Sequence, residues 1–266
     1  MSIDARGHVY TSASYGQAKT GTAVFKVALT PPKAAGGTGA AVLSPTFLDN
    51  TTAANGNTGT GTRTLKLIDV DSNAIVPSTS PRYAGQFVID DQTALDLVFA
   101  SNIDSGSGLT VLHTSYGLDD IRWATTVGGT LFVVDKGSSP KGISALYRVT
   151  GPFVAGAAYA SNDSLGTEVD TVNLATGKTK PFIRNLLTAK GLVYLDASGA
   201  EPALPLGGAT TAASTPSSPQ TPTSVAAVTK SSTDSDALSI VLAIVALVLA
   251  LGFGAFSLAR RRGAPS

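Results

Sequence analysis

The chain has 266 residues, and only 14% of them are charged, against about a quarter in an ordinary soluble domain. Its 19 basic and 18 acidic side chains leave a net charge of +1, without the clustered basic excess from which a nucleic-acid-binding surface is built. With no Cys and two His, it has no disulfide framework, no thiol nucleophile, no Cys-ligated zinc and little material for a histidine-rich metal centre.

Up to Gly199 no stretch holds helical periodicity for more than two turns. Short β-rich runs bounded by Gly, Asn, Asp, Ser and Pro take its place: His8–Ser12, Thr22–Val27, Thr64–Val70, Gln86–Ile89, Leu95–Ala100 and Leu109–His113. Ile121–Thr125, Thr130–Val134, Ala145–Val149, Val169–Leu174, Thr179–Ile183 and Leu192–Leu195 continue the series. Such spacing predicts an all-β sandwich, barrel or propeller. Two stretches interrupt it, 31–41 (PPKAAGGTGAA) and 50–62 (NTTAANGNTGTGT), and their composition predicts long loops. Asn50-Thr51-Thr52 and Asn162-Asp163-Ser164 match the glycosylation sequon, which is common by chance.

Internal repeats separate these architectures. GHVYTSASYGQAKTGTAVFKV from Gly7 aligns without a gap on GTLFVVDKGSSPKGISALYRV from Gly129, an offset of 122 residues. Val9, Tyr10, Val24, Phe25, Lys26 and Val27 match Leu131, Phe132, Leu146, Tyr147, Arg148 and Val149 in character. A second pair, KLIDVDSNAIVP from Lys66 and DTVNLATGKTKP from Asp170, reads as a repeated hairpin. Each copy leads to a glycine-led strand, GQFVID at Gly85 and GLVYLD at Gly191. Segments recurring in the same order predict radially stacked four-stranded sheets, because each sheet buries its faces against its neighbours. A dozen runs make about three blades, which predicts an incomplete ring with an exposed sheet edge.

GLDDIRWATTVGGTLFVVDKG, ALYRVTGPFVAGAAYAS and EVDTVNLATGKTKPFIRNLLTAKGLVYLD resemble blades of secreted bacterial propellers of the NHL and gluconolactonase/streptogramin-lyase-like kind, best over 117–196. The resemblance rests on strand-and-turn pattern without an invariant motif, so it implies a fold before an activity. It implies that the chain is a C-terminal portion of such a protein. In gluconolactonase-like members a divalent cation serves catalysis.

Few residues carry a chemical signal. Gly177-Lys178-Thr179 lacks the upstream Gly of a phosphate loop and reads as a turn. Asp69, Asp71 and Asn73 have the spacing that opens a calcium loop, but Ala74 and Ser80 stand where Gly and Glu are needed, so a hairpin turn is expected. His8 and His113 alternate with apolar neighbours as surface strand residues do, and no GxSxG accompanies them, so no catalytic residue is assigned. Acidic residues at strand ends remain: Asp119 and Asp120, then Asp90, Asp91, Asp135 and Asp196. Their bland role is to accept backbone N–H bonds at turns; their functional one is to hold a ligand or divalent cation, for which Asp119, Asp120 and Asp135 are the candidates. No other cofactor is expected. Trp123 is expected to fill space between blades.

From about Ala200 to Asp236 the chain holds five prolines, many Ser and Thr, and no aromatic residue. Such a segment cannot bury enough apolar surface to order itself and predicts an extended stalk, with a reach on the order of 100 Å. Ala237 to Ala259 are 23 uncharged residues, about 34 Å as a helix and enough to span a bilayer. Arg260, Arg261 and Arg262 follow and predict a cytoplasmic tail with everything before Ala237 outside. MSIDARGHVY carries no apolar signal segment, so export predicts a start upstream, and a tail-anchored cytoplasmic protein is the alternative. Together these features predict a single-pass, cell-surface propeller module that binds a protein, peptide or glycan partner without catalysis. An extracellular metal-dependent lactonase- or lyase-like hydrolase is the alternative, and a truncated product without function of its own is another.

Overall fold

A computed structural model describes residues 1–14, 21–33, 38–137 and 144–199. The expected stalk, membrane segment and arginine trio lie outside the described residues. Among the described residues no helix is long and apolar enough to cross a membrane.

The described chain is all-β. Its strands are β1 (Ser2–Ile3), β2 (Val9–Ser12), β3 (Thr22–Thr30), β4 (Ala40–Leu48), β5 (Thr52–Asn55), β6 (Thr62–Thr64), β7 (Val70–Ile75), β8 (Phe87–Asp91) and β9 (Asp96–Asn102). After a 3-10 turn at Ile103–Ser105 come β10 (Ser107–His113), β11 (Leu118–Trp123), β12 (Gly129–Asp135), β13 (Ala145–Thr150), β14 (Ala158–Asn162), β15 (Glu168–Val172), β16 (Thr179–Ile183) and β17 (Ala189–Asp196). They form four sheets in a propeller-like arrangement. The strand orders are β1-β2-β3-β4, then β6-β5-β10-β9-β8-β7, then β11-β14-β15-β16, and last β13-β12-β17. Pairing is antiparallel except between β5 and β10. The third and fourth sheets are interleaved along the chain: β12 and β13 leave the third sheet, β14 to β16 return to it, and β17 closes beside β12.

Three apolar clusters hold neighbouring sheets face to face. Tyr10, Val24 and Phe47 of the first sheet meet Phe87, Ile89 and Val98 of the second. Val88, Leu97 and Phe99, on the other face of the second sheet, meet Leu118, Ile121 and Trp123 of the third. Tyr159 and Val169 of the third meet Leu131, Val133, Leu192 and Tyr194 of the fourth. Alternation along β8 and β9 sends successive residues into two different cores, which is why Phe87–Ile89 and Leu97–Ala100 are apolar without a break and buried. Trp123, 3% exposed, fills space between two sheets as expected.

The first repeat is reproduced pair by pair. Val9↔Val27, Tyr10↔Lys26, Thr11↔Phe25 and Ser12↔Val24 in β2–β3 become Leu131↔Val149, Phe132↔Arg148, Val133↔Tyr147 and Val134↔Leu146 in β12–β13. The second repeat is not reproduced. Asp71 to Asn73 lie inside strand β7, whereas the aligned segment turns at Asn173–Lys178 between β15 and β16. The expected hairpin and its turn at Asp69–Asn73 are therefore replaced by extended backbone.

Other expectations change as well. There are four sheets rather than about three blades, because short or small-residue strands escaped the pattern. β14 is AYASN, fully buried between β11 and β15, where neighbours on both faces leave room for small side chains. The 50–62 stretch holds β5 and the start of β6, joined by a turn in which Gly59 and Gly61 take positive φ. The expected strand Thr64–Val70 is mostly irregular and separates β6 from β7. Asn162 of the second sequon is 0% exposed and bonds Asp170, so it is closed to modification in the folded chain. The expected turn at Gly177 is present: its φ is +73°, and a Cβ there would run into the His113 carbonyl oxygen.

Phe99 is 0% exposed and stacks on Tyr83 with ring centroids 3.8 Å apart. Phe99→Ala should lower the unfolding free energy by about 4 kcal/mol, as truncated core aromatics do, measured by chemical denaturation.

Candidate functional site

The strand-end aspartates divide by what surrounds them. Asp135 closes β12 and accepts backbone N–H bonds from Leu187 at 2.9 and 3.0 Å and from Thr188 at 2.6 Å. Asp91 does the same for Ile68, Asp69 and Ala94. Asp196 accepts from the backbone and hydroxyl of Ser198. Each clamps a turn that the sheet cannot satisfy through its own ladder.

Asp119 and Asp120 belong to a different environment. Both lie in β11, whose first residues sit beside the end of β14, the start of β17 and the neighbouring ends of β7 and β8. Lys190 Nζ bridges Asp119 Oδ1 at 3.1 Å and Asp163 Oδ1 at 2.6 Å. Gln92, in the β8–β9 turn, donates to both Asp71 and Asp119. Asp120 Oδ2 accepts from the Leu192 backbone at 2.7 Å, and its Oδ1 lies 2.6 Å from the Arg122 guanidinium. Asp90 Oδ1 accepts from Ser72 N at 2.7 Å, while its Oδ2 is buried with no hydrogen-bond partner. Six carboxyls (Asp69, Asp71, Asp90, Asp119, Asp120 and Asp163) thus share one strand-end region with two cationic side chains, Lys190 and Arg122.

The carboxyls outnumber the cations, and the proton affinities of four of them respond. Burial, then the charges of Asp120 and Asp71, push Asp90 well above the usual carboxylate range. Asp71 stands at the solvent-facing rim, yet the protein around it still desolvates its carboxyl. Desolvation, a hydrogen bond with Asp119 and the charges of Asp119 and Asp69 raise it to about 7, against the pull of Lys190. Asp69 is raised by desolvation and by Asp91 and Asp163; Asp120 is raised by burial, which outweighs Arg122 and the Leu192 N–H. Desolvation would lower Lys190, but its bonds to Asp163 and Asp119 win and raise it.

The structure therefore brings Asp119 and Asp120 together with Asp71 and Asp90, and places Asp135 among the turn clamps. Asp69 and Asp71 enter the site as ends of an extended strand, not as a calcium loop. Lys190 and Gln92 carry no motif, and Asp163 stood out only as the middle residue of a sequon; only the interleaving of the third and fourth sheets brings Lys190 to β11.

A second acidic group surrounds Tyr10. Ligand atoms of Asp4, His8 and Asp104 lie within 4.8 Å of one another. Cations already fill this group: Arg6 lies 2.7 Å from Asp4 and 2.6 Å from Asp104, and Lys26 lies 2.8 Å from Asp104. Desolvation would raise Asp104, but bonds from Lys26 and Tyr10 hold it at about 2. It is an ion-pair network between the first two sheets. His113 makes a comparable surface pair, its Nδ1 3.0 Å from Asp96, which Arg63 also contacts.

Comparison with family models, curated proteins and solved structures returns no match.

Two outcomes follow from the division. Asp135→Ala deprives two backbone donors of their acceptor and should cost about 2 kcal/mol in chemical denaturation, whereas Asp119→Asn should cost less. Asp71, raised to about 7, binds more protons folded than unfolded between about pH 4 and 7. The stabilisation from its protonated form is complete below about pH 4 and is lost as the pH rises through 7. Melting temperature should fall across that window by about 3 °C, since solvent screening limits the share of a rim group, and Asp71→Asn should flatten the fall.

Proposed function

We propose that this protein is a membrane-anchored, cell-surface binding module whose recognition site is the carboxylate cluster of Asp71, Asp90, Asp119 and Asp120, engaged through a divalent cation. The orphaned Asp90 Oδ2 carries the proposal. It is a buried oxygen with no hydrogen-bond partner, set among carboxyls that outnumber the local cations. Such a group is neutralised either by a proton or by a metal ion, and oxygen-only ligands suit a hard cation such as calcium. Among the described residues no three of these four carboxyls bring ligand atoms within 4.8 Å of one another as Asp4, His8 and Asp104 do, so a cation held there would leave coordination positions for acidic or hydroxyl groups of a protein, peptide or glycan partner.

The stalk at 200–236, the apolar segment at 237–259 and Arg260–Arg262 support display of this head outside the cell, the arginines facing the cytoplasm. The resemblance of 117–196 to NHL and gluconolactonase-like blades agrees with an exported propeller. One observation favours a hydrolase instead: a carboxyl near 7 beside a second carboxylate is suited to general-base work in a metal-dependent lactonase- or lyase-like enzyme.

Titration of the full-length protein in detergent with calcium chloride should raise its melting temperature by several degrees, and Asp71→Asn/Asp119→Asn should abolish the rise. Magnesium and manganese serve as controls for ion preference. No stabilisation by any of the three ions would overturn the proposed site. Protease applied to intact cells should remove the head; a head that survives alongside a cytosolic marker would overturn the proposed topology.

A further inference from the structure

Among the described residues, the two end sheets each have one face that no other sheet covers, and the repeated hairpin shows what kind of face each one is. In the first sheet the inner face of β2–β3 is Tyr10, Ser12, Val24 and Lys26. Tyr10 and Val24 enter the core shared with the second sheet, and Lys26 reaches Asp104 there. The outer face is Val9, Thr11, Phe25 and Val27, extended by Ile3, Leu29 and Leu43 through the pairs Ile3↔Val9, Val27↔Leu43 and Leu29↔Ala41. Ile3, Leu29 and Leu43 are 50%, 66% and 53% exposed.

In the fourth sheet the same hairpin is turned over. Its inner face is Leu131, Val133, Tyr147 and Val149, the counterparts of Val9, Thr11, Phe25 and Val27; Leu131, Val133 and Val149 pack on the third sheet, and Tyr147, 45% exposed, lies at the edge of that contact. Its outer face is Phe132, Val134, Leu146 and Arg148, the counterparts of Tyr10, Ser12, Val24 and Lys26, widened by Val193 and Leu195 of β17. Leu146 is 52% exposed. Each uncovered face is thus the counterpart of a face that already buries itself against another sheet elsewhere in this chain.

We infer that these two faces join head to tail between copies of this chain, the outer face of β12–β13–β17 in one copy seating on the outer face of β1–β4 in the next. The contact continues the sheet-on-sheet stacking that the three internal cores establish. Three strands of about seven residues present a face of roughly 14 by 23 Å, or about 300 Å². One contact then buries about 600 Å² over both partners. Two such contacts, closing a two-copy ring, bury about 1,200 Å², the lower edge of stable specific interfaces. Because the two faces differ, the interface is heterologous, and it closes into a ring or runs on as a longer series.

Light scattering on the detergent-solubilised full-length protein at tens of micromolar, corrected for bound detergent, tests this. Wild type should have at least twice the chain mass. Leu43→Glu on the first sheet and Leu146→Glu on the fourth are both at exposed positions, and each should give monomers with an unchanged melting temperature at low concentration. Mixing the two variants at hundreds of micromolar should give a weak dimer that neither variant forms alone at that concentration, because one contact of about 600 Å² then joins two unaltered faces. A monomeric wild type overturns the inference, whether the faces stay bare or are covered by the chain's own segment after residue 199. Dimers that persist in both single variants also overturn it and assign association to another part of the chain. A mixture that remains monomeric rules out the head-to-tail pairing.

Discussion

A β-sheet with apolar side chains on both faces has to be covered on both. That constraint organises the molecule: Phe87–Ile89 of β8 and Leu97–Ala100 of β9 are apolar without a break, and their alternating residues enter two different cores. The same crowding explains β14, where Ala, Ser and a single Tyr occupy a strand flanked on both sides. Face-to-face stacking also aligns strand ends, so that residues from β7, β8, β11 and β17 meet although they are far apart in the chain.

Aspartate shows how surroundings, not residue type, assign a role. Asp135 and Asp91 meet backbone donors at turns and are satisfied. Asp4, Asp104 and Asp96 meet Arg, Lys or His and form ion pairs. Asp71, Asp90, Asp119 and Asp120 meet chiefly one another, and partial compensation by Lys190 and Arg122 leaves excess negative charge that a proton or a cation must offset. The third environment is the one with unspent chemistry, and it lies where three sheets converge.

The repeated hairpin carries a related lesson. Identical pairing registers in β2–β3 and β12–β13 show that the backbone unit is the same, yet the two copies bury opposite faces. A unit with two apolar faces is suited to the interior of a stack. At either end of a stack it leaves one of those faces to be covered by something else, and the exposed Leu29, Leu43 and Leu146 are the visible consequence.

Sequence by itself determined the all-β class, most strand positions, and the equivalence of the Gly7 and Gly129 segments, because alternation, turn residues and local pairing are encoded over short distances. It also determined the strongly apolar 237–259 segment and its arginine flank. It misjudged β5, β7 and β14, whose Thr, Ala, Asn and Ser read as loop until neighbouring strands supply hydrogen bonds and cover. Only the tertiary structure decided that there are four sheets, which face of each repeat is buried, and that Asp135 is a turn clamp while Asp119 and Asp120 join Asp71 and Asp90. Those outcomes depend on contacts between β7, β11 and β17, of which the nearest two, ending at Ile75 and starting at Leu118, are 43 residues apart. No local pattern can register such contacts, because the electrostatic environment of a carboxyl is set by what folds against it.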